Sequence, residues 1–346
     1  MESYEQIFFA FFDVDLSRDQ PIKLEVKEND IPNFIEELIQ EINGKEDRVR
    51  SYCLQRESTE VFSNLIKLLN DDLDSDAFSM IVANRLHEAE KTTQDKIKHL
   101  QKIKKGSLVQ IVLKNNETGE YQFIVAKVED NDFLDKKTLL RRVGPPYKDS
   151  ALKFCKHVFS DMLELIDIYI YDSNPKVSDY WYQGFLELRE ARNDEHNTKQ
   201  AFNSVKTVLD RNLKRQFPQD YNILKDATIN YFRSQEIFEY EEFLENVFKG
   251  YEPENSDLDM NRIITKFREL PERNDFDRSF KPVPKEIKSR ISRKYAVSDK
   301  IDLTLKDSID NLKETIRSYE DSEGKKFLRV RVQNESTFEQ FNFKKK

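Results

Sequence analysis

Four groups of residues carry types and spacings that could do chemistry. Asp13 or Asp15 followed by Glu25-Val26-Lys27 has the order of a metal-dependent nuclease. In such a site acidic groups on adjacent strands bind Mg²⁺ and the lysine polarises the attacking water. The Glu-x-Lys spacing recurs at Glu286-Ile287-Lys288, as a chain with 35% charged residues allows, so spacing alone does not mark a site. Asp72-Leu73-Asp74-Ser75-Asp76 starts like a calcium-binding loop. It lacks the glycine at loop position 6 and the closing glutamate in register, and reads as an acidic cap ahead of a helix. Cys155 and His157, two apart on an expected strand, share a face and could pair as nucleophile and base. No oxyanion-hole pattern accompanies them, and a half-buried cysteine is the simpler reading. His87, His99 and His196 show no ligand spacing, so neither a metal nor a cofactor is expected.

The fourth group is basic. Lys98, Lys102 and Lys105 recur at i, i+4 and i+7, opposite Ile97, Leu100 and Ile103, on a helix expected over Ala77–Lys105. Lys104 lies alongside. Arg141, Arg142 and Lys148 flank Gly144-Pro145-Pro146, near the hairpin into which that helix leads. Arg290, Arg293 and Lys294 follow the Lys281–Pro284 linker. Contacts to phosphate need only cations spaced along a surface, with no further motif. These ten residues form the candidate DNA-binding set; an ordinary solvated face is the bland alternative.

The elements that must position them follow from periodicity. Ile7–Phe12 is a dense aromatic run bounded by Asp13 and Asp15, with the character of a buried strand; Lys23–Lys27 alternates as a partner strand would. Asp30 and Pro32 open a helix with the stripe Phe34, Ile35, Leu38, Ile39 and Ile42. A second helix starts at Ser58. Leu108–Leu113 and Tyr121–Val128 read as an antiparallel hairpin turning over Asn115, Asn116 and Gly119. Leu163–Tyr171 is a further strand, and Tyr180–Glu269 is mostly helical. Strands are expected at Lys300–Leu305 and Phe327–Val332, ahead of the tail Lys344–Lys346.

Composition bounds the function. The chain has 346 residues and only 7 Gly, and neither a GxGxxG nor a GxxxxGK[ST] can be written in it, so dinucleotide-fold and P-loop readings fail. No run approaches ~18 apolar residues, and the acidic opening MESYEQIFFAFFDVD is unlike a secretory leader, so the expectation is a soluble, cytoplasmic protein. The net charge of −8 is segregated. Residues 1–84 hold 8 Lys and Arg against 19 Asp and Glu, and residues 85–156 hold 16 against 10. Residues 157–280 hold 16 against 25, and residues 281–346 hold 17 against 11. A polyanion responds to local potential rather than to the total, so two basic segments could hold it while the acidic ones face away.

The order of elements resembles the NdpA/YejK-like family of bacterial nucleoid-associated proteins. The resemblance rests on Asn84-Arg85-Leu86 in a helix ahead of Lys105-Gly106-Ser107-Leu108-Val109, then Phe123–Val128 and the strand Leu165–Tyr171. An Asp-Ser-Asn-Pro turn and a Tyr-rich segment then lead into Phe185-Leu186-Glu187-Leu188-Arg189. Lys300–Leu305 and Phe327–Arg331 are similar to the family's closing pair of strands. Coverage is roughly residues 80–335. The sequence departs at Glu187 and Leu188, where the family has Lys and Gly, and keeps Arg189. The resemblance implies a cytoplasmic, nucleoid-associated, non-enzymatic DNA-binding protein that self-associates.

The expectation is an α+β fold: a mixed domain with an antiparallel sheet over residues 1–147, a mainly helical region over 148–274, and a small β-containing part with a basic tail over 275–346. The expected function is sequence-independent binding of double-stranded DNA, since no base-reading motif stands out. The competing expectations are a Mg²⁺-dependent nuclease using Asp13, Glu25 and Lys27, and an adaptor with a protein partner in phage defence.

Overall fold

The computed structural model describes residues 4–26, 31–56, 58–97, 103–129, 131–134, 141–144, 152–174, 176–287, 293–305 and 312–342. The fold is α+β, and the chain divides into two compact units, Met1–Ile287 and Lys288–Lys346.

In the first unit the elements run β1 (Tyr4–Val14), β2 (Ile22–Lys23), α1 (Ile31–Asn43), β3 (Arg50–Leu54), α2 (Glu60–Leu69) and α3 (Ser75–Ile97). Next come β4 (Gly106–Asn115), β5 (Tyr121–Glu129), β6 (Asn131–Leu134), β7 (Arg141–Gly144), β8 (Leu152–Phe159) and β9 (Leu165–Asp172). A π-helical turn at Tyr180–Phe185 leads to β10 (Leu188–Glu190). The helical portion follows as α4 (Asp194–Asn212), α5 (Pro218–Ser234), β11 (Phe238–Glu239), α6 (Tyr240–Leu244), α7 (Met260–Arg268), α8 (Leu270–Arg273) and β12 (Ser279–Phe280).

An antiparallel sheet in the order β10-β3-β9-β8-β5-β4-β1-β2 organises this unit. Both faces are covered. Leu108 and Val112 of β4, with Phe123 and Val125 of β5, pack against α2, α3 and the π-helical turn, with Val61, Leu65, Phe78, Val82, Leu86 and Trp181 closing that layer. The alternate residues Val109, Ile111, Ile124 and Ala126 pack against Ile35, Leu38 and Ile42 of α1. Burial on both sides explains why β4 and β5 read as nearly continuous apolar runs instead of alternating. The sheet therefore continues through β8 and β9, across the 147/148 boundary expected from sequence. The chain divides at 287/288 instead.

The helical portion is closed by an aromatic cluster in which Phe232 contacts Phe202, Phe238, Phe243 and Phe280. It is tied to the sheet by polar contacts. Arg50 of β3 donates to Asp194 at 2.9 Å, and the Ser51 amide donates to Asp277 at 3.2 Å.

Glu187 has a structural job. Its backbone is in the left-handed region, φ 53°, and its side chain is buried. One carboxylate oxygen accepts from Arg56 at 2.6 Å, and the other from the Glu60 amide in the first turn of α2 at 2.7 Å. A carboxylate there complements the partial positive charge of the helix start, which Thr59 does not cap with its side chain.

Among its described residues the second unit has two hairpins and short helices: β13 (Arg293–Ser298) with β14 (Ile301–Leu305), α9 (Leu312–Thr315), β15 (Ile316–Glu320) with β16 (Lys326–Val330), and α10 (Glu335–Phe341). The two strands expected as a closing pair do not pair with each other. β14 pairs with β13, and β16 with β15. Ile316–Glu320 holds three polar or charged residues among five, which is why it reads as a polar stretch rather than a strand.

Candidate nucleic-acid interface

Strand register brings to one end of the sheet the chain positions next to which two basic segments lie. Val14 of β1 lies opposite Gly106 of β4, Gly106 opposite Glu129 of β5, and Val128 opposite Leu152 of β8. Lys104 and Lys105 immediately precede β4 at this end. The chain leaves the sheet here after Glu129, forms the β6–β7 pair that carries Arg141 and Arg142, and rejoins at Leu152.

The Lys104 ammonium is 62% exposed and pairs with Glu129 at 3.0 Å. Such surface pairs contribute little to stability and leave the cation available to an outside anion. Lys105 is exposed as well. Hydrogen bonds from Ser17, with Arg18 and Lys105 nearby, hold the Asp15 carboxyl below its ordinary range.

Beneath this end lies a row of buried charges. Lys127 of β5 stands directly opposite Lys153 of β8, and Lys153 opposite Asp172 of β9. Two ammonium groups facing each other across a strand pair would repel. Here each has its own carboxylate: Lys127 pairs with Glu90 of α3, and Lys153 with Asp172. All four side chains are almost fully buried. Asp172 also accepts from the Asn174 amide at 2.9 Å and from the Ser178 amide at 2.9 Å, closing the turn after β9. Burial pushes the Glu90 carboxyl up, against the pull of Lys127. It pushes the Tyr180 hydroxyl up as well, with Glu90 adding to the effect.

The Lys127 ammonium makes a second bond, to the Lys104 carbonyl at 3.0 Å. A further bond runs from the Ile103 amide to Gln94 of α3 at 2.6 Å. The segment that presents Lys104 and Lys105 is thus fastened to both sheet and helix from below.

The basic set departs from the sequence expectation in two ways. The described part of α3 ends at Ile97, and residues 103–105 are neither helix nor strand, so Lys105 is not on the helical face assigned to it. Gly106 starts a strand rather than capping a helix. Arg293 and Lys294 lie on β13, opposite Leu305 and Thr304, in the second unit. Lys98, Lys102, Lys148 and Arg290 lie outside the described residues.

The chain matches no known family model, and no curated protein matches it.

The other constellations do not assemble. β2 spans only Ile22 and Lys23, so Glu25 falls past the strand expected to carry it, and Lys27 lies outside the described residues. Asp13 is engaged by Arg18 at 2.5 Å. Asp74 accepts from the Asp76 amide at 2.7 Å and from the Ala77 amide at 3.3 Å, as a helix cap does. Cys155 Sγ is 3.6 Å from His157 Nδ1, but both side chains are buried. Burial pushes the thiol well up and the imidazole down to about 4, which keeps both neutral and shuts them away from any substrate. Among the described residues, no three His, Cys, Asp or Glu side chains converge to hold a metal ion.

A cleft of about 540 Å³ lies over the outer strands, with Lys156, Arg192 and Arg278 in its wall. Each of these cations has a carboxylate partner, respectively Glu46, Asp275 and Glu272.

Lys127 and Glu90 are the residues that sequence reasoning missed. The available signal was parity: Lys127 shares its strand face with Phe123 and Val125, both in the core.

Proposed function

We propose that this chain binds double-stranded DNA without sequence preference, using the cationic end of the sheet around Lys104, Lys105, Arg141 and Arg142. What supports this reading is that Lys104 and Lys105 precede β4 at the sheet end from which the chain also departs into the β6–β7 pair, and that the Lys104 segment is fastened by the buried Lys127. Backbone phosphates are met by spaced cations and carry no base identity. The resemblance to nucleoid-associated proteins supports the same reading and adds self-association and a cytoplasmic, nucleoid location to it. Among the described residues, no helix is long and apolar enough to cross a membrane.

The test is duplex affinity as a function of salt. Binding through phosphates makes log K fall linearly with log[salt], with a slope of about −0.9 per phosphate neutralised. Contact by four to six cations therefore gives a slope of roughly −4 to −5. Reversing Lys104, Lys105, Arg141 and Arg142 to Glu should reduce the slope by about four and weaken unrelated duplexes alike. The matched control reverses Lys199, Arg211, Lys214 and Arg215, which are exposed on or just after α4. Equal losses in the two variants would reduce the effect to net charge and remove the site. Duplex cleavage with Mg²⁺ in the same tubes, abolished by Glu25→Ala with Lys27→Ala, would replace this reading with the nuclease.

A further inference from the structure

The second unit carries a surface of different chemistry. In the β15–β16 hairpin, Arg317 lies opposite Arg329 and Tyr319 opposite Phe327. Alternation places these four residues on one face, with Ile316, Ser318, Leu328 and Val330 on the other. The Tyr319 and Phe327 rings are nearly parallel, with centroids 5.0 Å apart and planes 12° apart. The Arg329 guanidinium stands 5.6 Å from the centre of the Tyr319 ring. Both rings stay open to solvent, Tyr319 at 47% and Phe327 at 40%.

Exposed aromatic area is costly to leave in water, and a cross-strand pair needs neither this exposure nor flanking guanidinium groups to staple a hairpin. Residues 288–346 are basic overall, with 15 Lys and Arg against 10 Asp and Glu. The acids nearest the hairpin's tip are occupied. Asp321 accepts from the amides of Glu323 and Lys325 at 2.9 Å, and Glu323 pairs with the Lys325 side chain. Glu320 sits on the opposite face, across from Lys326.

We infer that this face is a binding site for single-stranded nucleic acid. Tyr319 is covered by Phe327 on one side and by Arg329 on the other, so the outer face of Phe327 stacks one unpaired base, and Arg329 at the far end of the stack meets an adjoining phosphate. Paired bases cannot reach it, because in a duplex their faces are already stacked on their neighbours. An open ring face at the end of a stack that also holds a guanidinium group takes any base, since every base presents a π-face. The inference does not rest on the duplex reading, because its residues belong to a different unit.

The test uses the full chain and a dye-labelled oligothymidylate, read by fluorescence anisotropy, beside a blunt duplex. Replacing Tyr319 and Phe327 by valine keeps β-branched residues suited to the strands and removes the rings. Single-strand affinity should fall roughly 10- to 100-fold, the range that stacking of one base supplies, while duplex affinity stays as it was. Tyr319→Phe, which retains the ring, should bind like the parent. Arg329→Gln leaves the ring pair in place and should reduce the single-strand salt slope by about 0.7; this variant covers the case in which the valine pair unravels the hairpin. A 5-iododeoxyuridine oligonucleotide should photocrosslink to Tyr319 or Phe327.

Unchanged single-strand affinity in the valine and Arg329 variants would overturn the inference. So would crosslinks confined to the first unit, or a valine pair that dissociates an oligomer and leaves oligonucleotide binding intact. A parent chain that binds the single strand but no duplex would sink the duplex reading alone.

Discussion

Replacing Lys127 by alanine should cost the fold roughly 3–5 kcal/mol, the usual penalty for removing one partner of a buried ion pair. The cost comes from what stays behind. Glu90 is 1% exposed, and without Lys127 its carboxylate has no ion-pair partner among the described residues, while the Lys104 carbonyl loses a donor. Against a typical total of about 5–15 kcal/mol, this is a large share. Lys127→Met with Glu90→Leu should recover most of it, since a buried pair replaced by apolar groups of similar size is often neutral or stabilising. Urea denaturation with an unchanged m-value separates these cases.

The deficit of Lys127→Ala also has a sign in pH. Glu90 already sits above its ordinary range through burial, and loss of the ammonium raises it further. The native state of the variant then holds a proton that the unfolded chain gives up, so its stability rises as pH falls toward the ordinary glutamate range. A midpoint within about 1 kcal/mol of the parent, the scale of a surface pair, would show that the pair is solvated in solution and fastens nothing.

Duplex binding gives the pair a readout beyond stability. Lys127 holds the Lys104 carbonyl, so the methionine–leucine double variant should fold and still bind duplex less well. Its salt slope should stay near that of the parent, because the cations remain present and only their placement loosens.

Much of the fold was legible because burial on both faces of a sheet leaves long apolar runs. The β4–β5 hairpin announces itself by Leu108–Leu113 and Tyr121–Val128, and its turn by Asn115 and by Gly119 at φ 75°. The α1 stripe Ile35, Leu38 and Ile42 is the stripe that the sheet covers. The site was less legible, because periodicity cannot tell a helix that continues from one that stops. Lys98, Lys102 and Lys105 keep helical spacing past Ile97, yet residues 103–105 are not helical and the Lys104 carbonyl is held to the sheet by Lys127.

Contacts between distant strands carry no local signature. Lys127, Lys153 and Asp172 form a row only after β5, β8 and β9 have taken their register, and each alone looks like a solvated charge. The same limit hid the Tyr319–Phe327 stack, whose strand Ile316–Glu320 has too little apolar content to stand out before it pairs.

His157 should make the protein acid-sensitive in a defined window. It lies in β8 opposite Phe123 and Ile168, with its ring 5.8 Å from the Phe123 ring and 6.5 Å from the Phe159 ring. It is 1% exposed, and the Cys155 thiol beside it is at best a weak partner for an imidazolium. Burial therefore holds the imidazole down to about 4, against an ordinary value of 6.5. The unfolded chain takes up a proton between those values and the native state does not, so stability is complete above about pH 6.5 and drains away as pH falls toward 4. The full effect is about 3 kcal/mol, at 1.36 kcal/mol per pKa unit.

His157→Phe isolates this contribution. Every carboxylate titrates in both proteins, and any packing cost of the new ring is constant with pH, so the difference between the two stability curves reports His157 alone. Urea midpoints between pH 7.5 and 4 should show the parent losing about 3 kcal/mol more than the variant, with most of the divergence below pH 6.5. Parallel curves across that range would mean that the imidazole finds a proton-stabilising partner or water on β8, and that the layer between the sheet and α2–α3 is open there.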